Sequence, residues 1–72
     1  MSVYTNVFSV AQVYLGPATE KFLARQCKYL KVEPVDLTRE HLKQLAWFAK
    51  NGAAAIMDLA QAEKLAGKIE SL

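Results

Sequence analysis

The sequence predicts an all-α fold: a compact, oligomeric bundle of four short helices over residues 3–15, 17–30, 39–57 and 59–71. Three observations carry this. Apolar residues recur at i, i+3 and i+4 through most of the chain, the period of a helix with one buried face. Gly16-Pro17 and Pro34 break that period where helices must stop. The 72 residues are 53% hydrophobic, yet Cys27 and His41 are the only cysteine and histidine. A chain this short buries only about 60% of the surface its unfolded state exposes. A lone thiol excludes an internal disulfide, and a structural zinc needs about four His or Cys ligands. A partner chain is the staple left to it.

The first charged residue is Glu20. On a helix, Ser2, Thr5, Asn6, Ser9 and Gln12 fall within an arc of roughly 120°, leaving Val3, Tyr4, Val7, Phe8, Val10, Ala11, Val13, Tyr14 and Leu15 for the rest. Val3, Thr5, Val7 and Ser9 also alternate, so a strand is the rival. The helical period holds over the whole segment and is preferred. A helix so apolar is expected to be covered on most sides, by its own chain or by another. Its neutral-polar residues interrupt any membrane span, and no Lys or Arg precedes it as in a secretory signal. A cytoplasmic protein without a membrane span is expected.

Pro17 suits the first turn of the second helix, which needs no N–H from it. Ala18, Phe22, Leu23, Cys27 and Leu30 are its predicted inner face. Pro34 makes Val32–Leu37 a connector. Thr38 is the predicted N-cap of the third helix, with Glu40 in its first turn and Leu37 and Leu42 as a hydrophobic staple. That helix carries Leu42, Leu45, Ala46, Ala49, Ala53 and Ile56. Gly52 is either interior or a cap, and the unbroken period predicts continuation to Met57. Asp58 with Gln61 resembles a capping box for the last helix, whose stripe is Leu59, Ala62, Leu65, Ala66, Ile69 and Leu72. Gly67 inside it suggests a close contact.

No residue set identifies a reaction, and no catalytic residue, cofactor or metal is expected. Cys27 reads as a small buried hydrophobe. His41 sits in a first turn, and nothing in the sequence pairs it with Cys27 for nucleophilic work. The carboxylates scatter over caps and exposed faces, and the glycines are isolated. The net charge of +2 is too weak to imply nucleic acid alone. Lys21, Arg25 and Lys28 do form one ridge on the second helix, a candidate phosphate-binding row, but Gln26 is the only base reader nearby. Trp47 flanks the apolar stripe of its helix, a position that suits equally a corner of the core or an interface anchor.

The tetrad Leu15-Gly16-Pro17-Ala18, the run from Asp36 to Phe48 and the terminal Leu/Ile helix together resemble small helical modules of bacterial signalling proteins. Such modules accompany receiver or kinase domains, often at the C-terminus. The resemblance spans Leu15 to Leu72 and implies an interaction or dimerisation role in a bacterial cytoplasm. The expected function is non-enzymatic self-association through Tyr4, Val7, Phe8, Val10, Tyr14 and Trp47. The alternative is nucleic-acid binding through Lys21, Arg25 and Lys28.

Overall fold

Ser2 opens the first helix by capping it: the Thr5 N–H donates to the Ser2 hydroxyl at 3.2 Å. The computed structural model describes residues 2–72, and every regular element among them is helical. Helix α1 spans Val3–Leu15. Gly16 ends it at φ 56°, ψ −130°, a left-handed conformation that only glycine adopts without strain. Pro17 then lies in a 3-10 turn, Gly16–Ala18, so α2 (Thr19–Leu30) starts two residues later than Pro17 suggested. The Thr19 hydroxyl donates to the Gly16 carbonyl at 2.6 Å and is buried there, tying α2 to the corner. Lys31 closes α2 in the left-handed region (φ 59°), and the Val32 N–H reaches back to the Cys27 carbonyl at 3.1 Å.

A second 3-10 turn, Pro34–Asp36, leads to buried Leu37. Thr38 caps the next helix as its sequence position suggests. Its N–H donates to His41 Nδ1 at 3.0 Å, a capping box with histidine in place of Glu or Gln. The first turn, Arg39–His41, is 3-10, and α3 follows over Leu42–Ala53.

The reading of this helix as running to Met57 is corrected. The N–H groups of Ile56 and Met57 both donate to the Ala53 carbonyl at 2.9 Å, so the chain tightens and turns. Ile56, placed on the buried stripe by its spacing, is 63% exposed. Helix α4 spans Leu59–Glu70. Asp58 precedes it without a side-chain cap bond, so the Asp58–Gln61 box does not form.

Helix α3 packs along α4, and α2 packs on α3. Helix α1 packs against α2 and α4, which places it across the core from α3. Leu23, Leu45, Leu65, Ile69, Val7 and Cys27 fill the centre, with Ala46, Ala49, Ala53, Ala62 and Ala66 at the helix contacts. The Cα radius of gyration is 10.6 Å. No helix among the described residues is long and apolar enough to cross a membrane.

The expectation that α1 is covered on most sides does not hold within this chain. Only Val7 and Ala11 are fully buried, while Val3, Tyr4, Phe8, Val10, Tyr14 and Leu15 are half-buried along its flanks. Ser2, Thr5, Ser9 and Gln12 face outward as the wheel predicts. Val13 belongs with them: at about 100° per residue it falls between Asn6 and Ser2, and it is 82% exposed.

The inner face of α2 is rotated from the predicted one. Leu23 and Cys27 are buried as expected, but Thr19 and Gln26 join them, while Ala18 is exposed and Phe22 and Leu30 are half-buried. Gly52 makes room for this. A Cβ at Gly52 would stand 2.9 Å from Gln26 Nε2 and 3.3 Å from the Phe22 ring. Gly67, by contrast, has nothing within 4 Å of an added Cβ, so it marks no close contact in this chain.

Two substitutions separate these packing terms. Gly52→Ala crowds Gln26 and the Phe22 ring, and the overpacking cost of about 1–3 kcal/mol, less the helix gain of about 1 kcal/mol for alanine over glycine, leaves a net loss of up to about 2 kcal/mol. Leu65→Ala empties the centre and costs about 2–5 kcal/mol. Urea denaturation of both variants, followed by circular dichroism, measures the two costs.

Candidate interaction surface

The residues singled out in the sequence do not form one patch. Val7 is fully buried and belongs to the chain's own core, so it presents no surface to a partner. Tyr4, Phe8, Val10 and Tyr14 keep part of their surface accessible on the flanks of α1, with the Tyr4 and Phe8 rings 6.0 Å apart. Trp47 lies on the far side of the molecule, on α3. The α1 flank and Trp47 therefore cannot be covered by one flat contact.

Trp47 is 62% exposed and is not a corner of the core. It heads an aromatic strip. The Trp47 ring stands edge-on to Phe48 at 5.1 Å, and Phe48 tilts against Tyr29 of α2 at 5.7 Å. Such pairs hold each ring in place beyond the area they bury. Tyr29 is itself 55% exposed. The strip was only partly visible in the sequence. Trp47 and Phe48 are neighbours there, but Tyr29 joins them only through the α2–α3 packing.

Lys21, Arg25 and Lys28 are exposed in one row along α2, as their spacing predicts. Gln26 does not join them. It is turned inward, 1% exposed, and its Oε1 is buried without a hydrogen-bond partner. It lies beside Gly52, Phe22, Tyr29 and Ile56 in a shallow groove between α2 and the end of α3. The basic row therefore lacks the one base-reading side chain that the sequence offered it.

A larger groove, about 670 Å³, runs between α3 and α4. Lys43, Trp47 and Lys50 stand on its α3 side, Glu63 and Glu70 on its α4 side, and Ala66 and Gly67 between them. The two helices are antiparallel across it. Arg39, just before α3, donates through Nη1 to the carbonyl of Leu72, just beyond α4, at 3.1 Å.

Cys27 is buried, and burial followed by the negative charge of Glu33 pushes its thiol above the ordinary range. The Tyr4 phenol is raised by burial first, then by Glu20 and Cys27. A raised thiol holds little thiolate at neutral pH, the opposite of an activated nucleophile. His41 is committed to the Thr38 cap. Among the described residues, no group of three or more His, Cys, Asp or Glu converges as metal ligands would.

No family model matches this chain, and no match to it is found among characterised proteins or solved structures.

The raised groups give a pH dependence of definite sign. Both favour the protonated form in the folded state: the Cys27 contribution is whole below the ordinary thiol value of 9.0 and is lost as pH rises above it through the raised value, and the Tyr4 contribution is lost likewise above the ordinary phenol value of 10.0. Thermal unfolding between neutral and alkaline pH will show stability falling on the alkaline side, and Cys27→Ala will flatten that fall. A disulfide reagent will label Cys27 slowly in the folded protein at neutral pH and rapidly in denaturant.

Proposed function

We propose that the protein is a non-enzymatic interaction module that works by binding protein, chiefly a second copy of itself. The observation that carries this is Trp47, 62% exposed on the outer side of α3 and braced by Phe48. Indole is the side chain most enriched among binding hot spots, and a ring already held by neighbours loses little entropy on docking. Further apolar surface supports the reading. Val13, Tyr29, Val35, Ile56 and Leu59 are all more than half exposed, and the α1 flank of Tyr4, Phe8, Val10 and Tyr14 is only half covered. The setting in bacterial signalling or regulation comes from the resemblance of Leu15 to Leu72 to helical modules of that kind.

Nucleic-acid binding is the second reading, favoured by the exposed row of Lys21, Arg25 and Lys28 beside the exposed ring of Tyr29. Basic rows next to an aromatic suit single strands, which stack on such rings. The inward turn of Gln26 counts against sequence-specific duplex binding.

Light scattering at micromolar concentration tests the first reading. The expected mass is at least twice that of the 8.0 kDa chain. A monomeric mass removes self-association. A gel shift at low salt tests the second: binding that falls steeply with added salt supports it, and no shift at low salt ends it.

A further inference from the structure

The groove between α3 and α4 carries a charge pattern that fits a copy of itself. The helices are antiparallel, with Arg39 bonded to the Leu72 carbonyl at one end and the short turn from Ala54 to Asp58 at the other. Lys43 and Glu70 therefore share one level along the groove, and Lys50 and Glu63 share the other. Trp47 and Gly67 lie midway on opposite sides. The lysines are seven residues apart on α3, and so are the glutamates on α4.

Resting on the self-association reading above, we propose that this groove is the dimer interface. Two copies meet about a two-fold axis running along the groove, each Trp47 packing over Gly67 of the other. A two-fold along the groove lays α3 of one copy on α4 of the other without reversing either. Lys43 then meets the partner's Glu70, and Lys50 meets the partner's Glu63, four opposite-charge pairs in all. A two-fold across the groove lays α3 on a reversed α3. It sets Lys43 against Lys50 and Glu63 against Glu70, like charges at every level. The first arrangement is selected by sign alone. Pairs at a solvated rim add little affinity each, but they fix register and reject the wrong orientation.

Gly67 supplies the independent argument. Glycine weakens a helix interior relative to alanine, and a Cβ at this position meets nothing within 4 Å in the single chain. The fold of one copy has no use for the missing side chain. An indole arriving from a second copy does, because only glycine lets a flat ring lie against the helix backbone between Glu63 and Glu70.

The test follows dimer dissociation on dilution. Trp47 is the only tryptophan, so its emission shifts to longer wavelength as the dimer parts, with light scattering reading mass in parallel. Trp47→Ala, read by light scattering, is expected to raise the dissociation constant at least about 30-fold. Gly67→Gln, which extends into open space in the single chain, keeps the helical spectrum and weakens the dimer about 10-fold. Lys50→Glu and Glu63→Lys each weaken it about 10-fold, and the double variant Lys50→Glu/Glu63→Lys returns within about 3-fold of wild type. A monomeric wild type overturns the self-association reading itself. A wild-type dimer untouched by Trp47→Ala and Gly67→Gln keeps that reading and overturns this interface. A double variant as weak as its singles overturns the two-fold along the groove.

Discussion

Ala46, Ala49 and Ala53 on α3 and Ala62 and Ala66 on α4 are buried, and these two helices pack along each other. Small side chains at a contact set the distance between helix axes, and alanine lets the backbones come close. The close antiparallel α3–α4 pair is the frame on which the other helices are laid. Its open end is tied by Arg39 to the Leu72 carbonyl, and its entry is fixed by the Thr38–His41 cap. Alanines bury little area, so the larger contributions come from Leu45, Leu65 and Ile69 flanking that seam, where α1 brings Val7 and α2 brings Leu23 and Cys27. If α3 and α4 did not close, α1 would lose one of its two supports and α2 would lose the helix that seats Gln26.

The positions of the helices could be read from the chain because period and punctuation agree. Leu42, Leu45, Ala46, Ala49 and Ala53 repeat at helical spacing and are all buried, and Thr38 caps where its hydroxyl and the residues after it suit a first turn. What could not be read depends on contacts between elements. Helix α3 ends at Ala53 although the apolar period runs on through Ile56, because the chain must reverse within a few residues to lay α4 along it. Gln26 is a polar residue in a polar stretch. Only the space left by Gly52, which comes from another helix, turns it inward. Trp47 was visible as a flanking residue, but its exposure depends on which way α3 rolls against its neighbours.

The uncharged start of the chain shows how far composition can be trusted. Its lack of charge suggested deep burial. Yet Ser2, Thr5, Ser9 and Gln12 face solvent, and hydroxyl and amide groups suffice to hydrate that side. Neutral polar residues mark an outer face as surely as charged ones do, only more quietly. The excess of apolar surface on α1 lies on its flanks, where Tyr4, Phe8, Val10 and Tyr14 are partly buried against the core. That is the ordinary condition of a helix on a small core, which cannot wrap any element completely.

The same limit does not account for Trp47 and Gly67. A half-buried flank reflects shortage of chain, but an indole on the outer side of α3 and a glycine on the outer side of α4 are not forced by shortage. A polar residue at the first position and an alanine at the second would suit a single copy better, the one for solubility and the other for helix stability. Both departures fall at the same level of one groove, between two lysines on one wall and two glutamates on the other. Departures from local preference mean most when they coincide in space and share one remedy. In the proposed dimer, a second copy of the groove turned about its own length would cover the indole, use the glycine and pair all four charges at once.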